Sequence, residues 1–116
     1  MIDESDFIKA ADGTLAAIGS ALDDAAASAD ADVDWMLNDG VLEIDCGPKG
    51  KLIVNRHLPN REIWVAARAG GFHFAANGGH WRDTRSGDDL AVALARLIKA
   101  QAEIDIALPL LRAPAN

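Results

Sequence analysis

The spacing of apolar residues changes from a helical period to a strand period after the first quarter of this chain, and that change constrains the fold more than any other feature. Up to Leu22, apolar residues recur at intervals of three and four, the period of one helix face: Phe7, Ala11, Leu15, Ile18 and Leu22. From Val33 onward they recur at every second position, the period of a half-buried strand. The pattern predicts a helix from Asp3 to Asp24, followed by a sheet.

Short strands with closely spaced turns fill the middle of the chain. Their inward positions are Val33, Trp35 and Leu37; Leu42, Ile44 and Cys46; Leu52 and Val54; Ile63, Val65 and Ala67; and Phe72 and Phe74. Asn38-Asp39-Gly40 has the composition of a hairpin turn, and Gly47-Pro48-Lys49-Gly50 separates the second strand from the third. Such spacing is typical of an antiparallel sheet.

A second helix closes the domain. Ser86-Gly87-Asp88-Asp89 resembles a capping box, which predicts that this helix begins at Ser86. Its apolar stripe is Leu90, Leu94, Leu97 and Ile98. The tail, residues 105–116, is apolar enough that we expect it to pack back on the domain. The prediction is an α+β two-layer sandwich in one domain, residues 1–116, with both helices on one face of an antiparallel sheet of five or more strands.

Charge and cysteine content exclude several classes of function. The net charge of −7 disfavours nucleic acid and anionic membranes as partners, and it suits metal cations, basic proteins or simple solubility. The single Cys46 excludes an internal disulfide and a multi-cysteine metal site, which fits a reducing compartment. The amino terminus has no apolar signal core, and no apolar run approaches the roughly 18 residues that span a membrane. We expect a soluble, cytoplasmic protein.

Strand alternation predicts an unusual residue on the sheet face away from the helices. If Val54, Val65 and Phe74 point inward, then Trp64 and His73 point outward. Tryptophan is enriched at binding hot spots, so Trp64 is a candidate anchor for a partner. The alternative is that Trp64 merely covers its neighbours on the sheet, since single exposed apolar residues are common.

Two runs in this region resemble the signature of the bacterial frataxin family. They are Asn55-Arg56-His57-Leu58-Pro59-Asn60-Arg61-Glu62-Ile63-Trp64 and Gly70-Gly71-Phe72-His73-Phe74. The flanks agree in order: Leu22-Asp23-Asp24, Asp39-Gly40-Val41-Leu42, Trp81 and Arg85-Ser86-Gly87. The resemblance covers nearly the whole chain. It differs from the family at Gly19 and Ser20, where relatives often have glutamates.

The resemblance implies a fold, a cargo and two partners. Frataxins are α-β sandwiches that bind iron weakly on an acidic ridge of the first helix and first strand, and they contact the cysteine desulfurase and the scaffold protein of iron–sulfur cluster assembly. It implies iron delivery and regulation of the desulfurase, by a monomer that can form iron-dependent oligomers. The corresponding metal ligands here are Asp3, Asp6, Asp23, Asp24, Asp30 and Asp32. The corresponding partner surface is Asn55, Arg56, Trp64 and His73.

The acidic residues do not by themselves predict a tight site. At 100° per residue, Asp6 and Asp24 share a side of the helix but lie turns apart, so they form no preformed chelate. Only Asp23-Asp24, with Asp30 or Asp32 folding back, offers a local cluster. Carboxylates suit hard cations, but an exposed ridge should bind weakly and without selectivity. A solvated acidic face without a metal is the alternative.

The chain has no predicted catalytic group. His57, His73 and His80 lack metal-binding spacing, and Ser86 has no histidine to activate it. We therefore expect that the protein is not an enzyme. An interaction-only regulator with incidental iron binding remains an alternative, as does a weak ferroxidase.

Overall fold

The computed structural model describes residues 2–115, and it is a six-stranded antiparallel sheet with two helices on one face. The elements in chain order are α1 (Glu4–Ala29), β1 (Asp34–Asn38), β2 (Val41–Asp45), a 3-10 turn (Gly47–Lys49), β3 (Lys51–His57), β4 (Glu62–Ala67), β5 (Gly70–Asn77), β6 (His80–Asp83) and α2 (Leu90–Ala102). The strands are neighbours in sequence order. The predicted α+β two-layer sandwich is confirmed.

The first helix is longer than its apolar stripe predicts. Asp3 is its N-cap, and the Asp3 side chain accepts a hydrogen bond from the Asp6 amide. The helix continues to Ala29 and ends where Asp30 adopts a left-handed conformation, with φ of 50°. The predicted end at Asp24 was too early because the segment 25–29 is mostly alanine, the strongest helix former, whether or not it faces the core.

The sheet consists of consecutive hairpins, and their register fixes which residues share a face. Asn55 pairs with Trp64, and Trp64 pairs with His73, so these three residues form one row across β3, β4 and β5. The first hairpin turns through Asp39 and Gly40, both with positive φ. This is the two-residue turn that the sequence predicts there. The sixth strand has only four residues, too few for its alternation to be recognised in the sequence.

The core lies between the sheet and both helices, and a tryptophan fills its centre. Trp81 is fully buried, its ring meets Phe7 edge-on at 5.9 Å, and its indole nitrogen donates a hydrogen bond to Thr14 Oγ1 at 3.0 Å. The predicted inward residues of β2, β3 and β4 up to Val65 are buried, as are Phe74 and the α2 stripe. Phe72 is half-buried and packs against this core.

The second helix begins four residues later than predicted. Its first residue is Leu90, and its N-cap is Asp89, whose carboxylate accepts a hydrogen bond from the Ala91 amide. Ser86 belongs instead to the preceding turn, where its hydroxyl accepts from the Asp88 amide. The prediction of Ser86 as the cap was wrong because serine and aspartate both stabilise helix starts and turns, and composition does not separate the two uses.

The chain after α2 runs back along the edge of the sheet. Ile104, Leu111 and Ala113 are buried, whereas Leu110 is 53% exposed. Arg112 forms a bridge to His80, and the Ala113 amide donates to the Gly79 carbonyl, so this segment covers the outer side of β6. Asn116 lies outside the described residues. Among residues 2–115, neither helix has the length and apolarity needed to cross a membrane.

Candidate partner and metal surfaces

Trp64 lies on the open face of the sheet between two imidazole rings. His57 of β3 stacks on one face of the indole at 3.5 Å, and His73 of β5 stacks on the other at 4.2 Å, with interplanar angles of 9° and 6°. The indole nitrogen donates to Glu62 Oε1 at 2.8 Å. Trp64 is half-buried. The indole therefore lies in one fixed orientation before any partner arrives, so binding would cost little side-chain entropy.

His57 is the member of this stack that the sequence analysis missed. It follows Asn55 by two residues on β3, so strand alternation puts it on the same face as Trp64. Its register partner is Glu62, which accepts the hydrogen bond from Trp64 and also lies 3.9 Å from His73 Nδ1. Register and alternation together could have found it. We call His57, Glu62, Trp64 and His73 the stacked cluster.

A shallow depression of about 390 Å³ borders the stacked cluster. Its floor is mainly apolar, and it is lined on the open sheet face by Val41, Ile53, Asn55 and Ala66. Val41 is 37% exposed. A fixed aromatic ring beside an apolar depression with a polar rim is the usual composition of the centre of a protein–protein interface.

Arg56 does not belong to this surface. It pairs with the buried Ile63 in the register, and its side chain lies on the helix side of the sheet. Its guanidinium contacts Asp12 of α1 at 2.5 Å and Asp39 of the first hairpin turn at 3.5 Å. The prediction that Arg56 lies on the open face with Trp64 was wrong. Arg56 instead ties α1 to the β1–β2 turn.

The candidate metal ligand Asp23 is held by an aromatic side chain. Trp35 of β1 donates from its indole nitrogen to Asp23 Oδ1 at 2.8 Å. The Trp35 ring lies against the buried Gly19 of α1, where an added Cβ would come within 2.8–3.0 Å of three ring carbons. Because position 19 is glycine, the Trp35 ring can pack directly against α1. In that position its indole nitrogen reaches Asp23. Gly19 therefore has a packing role.

The other candidate ligands fall into two groups at opposite ends of α1. Asp3 and Asp6 are exposed at its first turn, and Asp23, Asp24 and Asp30 are exposed at its last turns. At 1.5 Å per residue the two groups are about 25 Å apart, so they cannot share one ion. Asp32 is exposed in the following loop. Within residues 2–115, no three histidine, cysteine or acidic residues converge on a point that could hold a metal.

The hairpin register creates one further acidic pair. Asp34 of β1 lies directly across from Asp45 of β2, and both are exposed on the open face. Like charges in this position repel each other. The turn Asn38-Asp39-Gly40 fixes the register of the hairpin, so this pairing was available from the sequence. It adds a third acidic location near the carboxyl end of α1.

Cys46 is a core residue with low reactivity. Its side chain is 6% exposed, and burial, aided by the neighbouring Asp45 carboxylate, raises the pKa of the thiol. The thiolate is the nucleophilic and metal-binding form, so the raised pKa disfavours both uses at neutral pH.

Comparison with known proteins identifies the family. The frataxin-like domain model matches residues 1–104. The chain is 45% identical over 105 residues to the iron-sulfur cluster assembly protein CyaY of Ralstonia nicotianae, covering 90% of this chain and 93% of that one. It is 48% identical over 102 residues to the protein of the same name from Dechloromonas aromatica, covering 87% and 93%.

Solved structures agree with the sequence relatives. The frataxin of Psychromonas ingrahamii superposes with a TM-score of 0.73 at 30% identity, covering 90% of this chain and 96% of that one. Trimeric frataxin from Saccharomyces cerevisiae, complexed with ferrous iron, superposes with a TM-score of 0.71 at 25% identity, covering 81% and 86%. The signature run, the sheet it builds and these similarities together establish that the chain belongs to the frataxin family.

Proposed function

We propose that this protein is an iron-binding component of iron–sulfur cluster assembly, which brings iron to the machinery and regulates its cysteine desulfurase. The observation that carries the proposal is the stacked cluster, a preoriented tryptophan on an open sheet face. Its relatives are named iron-sulfur cluster assembly proteins. This role is cytoplasmic and needs no catalytic group in the chain itself.

Two surfaces contribute differently to the binding of partner proteins. The stacked cluster with Asn55 supplies the short-range contact to the desulfurase or the scaffold protein, because a fixed aromatic ring can be buried without further ordering. The acidic residues at the carboxyl end of α1 supply a long-range attraction to a basic patch. Long-range attraction between charged surfaces mainly raises the association rate and falls with salt.

Iron is cargo in this proposal, bound weakly by carboxylates. Asp23 and Asp24 are adjacent and exposed, and Asp30 and Asp32 follow in the same region. Asp23 accepts the hydrogen bond from Trp35 through Oδ1. Asp3 and Asp6 form a separate location, which binds iron more weakly. Iron-dependent oligomers would form by sharing such ions between copies, and the yeast frataxin complexed with ferrous iron is a trimer.

An iron titration tests the cargo role. Ferrous iron should perturb the amide signals of Asp23, Asp24, Asp30 and Asp32 before those of Asp3 and Asp6, and rising salt should weaken the effect. The double variant Asp23→Asn with Asp24→Asn should bind iron at least tenfold more weakly. The control Glu103→Gln with Asp105→Asn removes the same charge at the end of α2 and should bind as the wild type does. Perturbation confined to the histidines would contradict the proposal.

An interaction-only regulator is the second candidate, because no three ligands converge in the described residues. Pull-down of purified desulfurase and scaffold protein, with and without ferrous iron, separates the two. Iron delivery requires that ferrous iron change the amount of complex or be carried into it. Equal capture under both conditions, with no iron in the complex, would leave regulation alone.

A further inference from the structure

The two edges of the sheet are treated differently. The outer side of β6 is covered, since Arg112 bridges to His80 and the Ala113 amide donates to Gly79. No segment among residues 2–115 covers the outer side of β1 in this way. An uncovered edge strand offers unpaired backbone groups to another chain.

Hydrogen bonds elsewhere in the sheet identify which groups of β1 point outward. The Gly40 carbonyl accepts from the Arg56 amide, and the Gly50 carbonyl accepts from the Cys46 amide. Even-numbered residues of β2 therefore bond to β3, and odd-numbered ones bond to β1. The odd-numbered residues of β2 pair with Asp34, Met36 and Asn38. The backbone groups of Trp35 and Leu37 are left facing outward.

The side chains along this edge combine apolar and acidic character. The most exposed large apolar side chains on the sheet are Met36 at 66%, Leu37 at 37% and Val41 at 37%. Asp32, Asp34 and Asp39 flank them and are exposed. Strand alternation puts Leu37 on the helix side of the sheet with Trp35, and Met36 on the open face with Asp34. A paired strand would therefore meet an apolar side chain on one face and negative charge beside a methionine on the other.

We propose that β1 is a docking edge for an extended segment of another protein in which apolar residues alternate with lysine or arginine. The segment adds to the sheet as a seventh strand. Its backbone pairs with Trp35 and Leu37. Its apolar residues lie on the helix side of the sheet beside Leu37, and its basic residues lie on the open face beside Met36 and Asp34. Recognition by strand addition works in this way: backbone bonds give affinity and alternate side chains give specificity.

Charge determines that the occupant is not a second copy of this chain. Pairing β1 with β1 of another copy would place two acidic edges side by side, in molecules that each carry a net charge of −7. Like charges across strands are destabilising. Asp32 is shared with the proposed iron site, but the β1 backbone, Met36 and Leu37 are not, and Trp64 takes no part. Peptide binding at β1 can therefore be tested without iron and separately from the proposed function.

A model peptide tests the edge directly. The probe is an acetylated octapeptide in which valine and lysine alternate, and its matched control replaces every lysine with glutamate. Titrated into the full chain, the valine–lysine peptide should protect the Trp35 and Leu37 amides from hydrogen exchange and shift their NMR signals before any others. The valine–glutamate peptide should bind at least tenfold more weakly.

Three variants separate strand addition from simple charge attraction. Leu37→Pro removes one outward amide but no bond to β2, and it should abolish amide protection at Trp35. Met36→Lys should weaken the valine–lysine peptide at least tenfold and does not depend on a proline being tolerated. Val92→Lys adds the same charge at a position on α2 that is 60% exposed, and it should change affinity less than twofold. Shifts centred on Trp64, equal losses in both lysine variants, or a chain that dimerises through β1 would overturn the proposal.

Discussion

Gly13 and Gly19 lie in the same helix but have opposite surroundings. A Cβ added at Gly13 would have no atom within 4 Å, whereas one at Gly19 would enter the Trp35 ring. Helix propensity alone gives the two glycines the same unfavourable contribution to the helix. Only the packing of Trp35 distinguishes them.

This difference predicts opposite effects of the same substitution. Gly13→Ala should raise the free energy of unfolding by about 1 kcal/mol, because alanine is the better helix former and meets no obstacle. Gly19→Ala should lower it by about 1–3 kcal/mol, because the indole must move and its bond to Asp23 is strained. Urea denaturation of both variants measures the two changes. If Gly19→Ala were as stable as Gly13→Ala, the Trp35 ring would not pack against Gly19 as described.

At the residue scale, strand alternation predicted more than the resemblance did. It put Trp64 and His73 on the open face, where the structure has them, and it would have put Arg56 on the opposite face with Val54. The signature run contributes to both faces of the sheet, because successive residues of a strand point to opposite sides. The contact between Trp35 and Asp23 could not be predicted, because it joins two elements whose relative position depends on the whole core.

The boundaries of the two helices show where local sequence is ambiguous. The apolar stripe of α1 ends at Leu22, but the helix continues to Ala29. Alanine favours a helix even where its side chain does not contact the core. For α2, three polar residues before Leu90 were all acceptable caps by composition. The spacing of apolar residues predicted which helices and strands exist, their order and their apolar faces. The residues at which the helices begin and end depended instead on single hydrogen bonds.

The cap of α2 gives a test at the scale of the element. Asp89→Ala should lower the free energy of unfolding by about 1 kcal/mol, since the Ala91 amide loses its partner. Ser86→Ala should have an effect below about 0.5 kcal/mol, because that hydroxyl serves only an exposed turn. Thermal melts followed by circular dichroism would compare the two. A larger loss for Ser86→Ala would restore it as the cap.

At the scale of the whole molecule, the tail closes one edge of an elongated body with principal extents of 42 × 25 × 21 Å. Its apolar sequence indicated packing, but not where it would pack, because the site is formed by β6 and by residues along α1. The acids predicted as one ridge are likewise spread along the length of α1. The net charge could be predicted from the sequence. The separation of the acidic residues into two groups could not, because it depends on the full length of α1.

Neighbouring leucines of the tail test whether it belongs to the fold. Leu111 is 2% exposed and Leu110 is 53% exposed. Leu111→Ala should cost about 2–5 kcal/mol of unfolding free energy, because a buried side chain leaves a cavity. Leu110→Ala should change it by less than about 0.5 kcal/mol. Equal effects in calorimetry would mean that the tail does not pack as described.

The central claim is that this protein acts through its surface, with Trp64 as the anchor. Isothermal titration of purified desulfurase and scaffold protein with the wild type, Trp64→Ala and Val92→Ala, at constant salt, tests it most directly. Trp64→Ala should bind one of the two partners at least about thirtyfold more weakly, an effect of about 2 kcal/mol, while its circular dichroism spectrum shows that the chain stays folded. Val92→Ala should bind as the wild type does. Wild-type affinity of Trp64→Ala for both partners would contradict the claim.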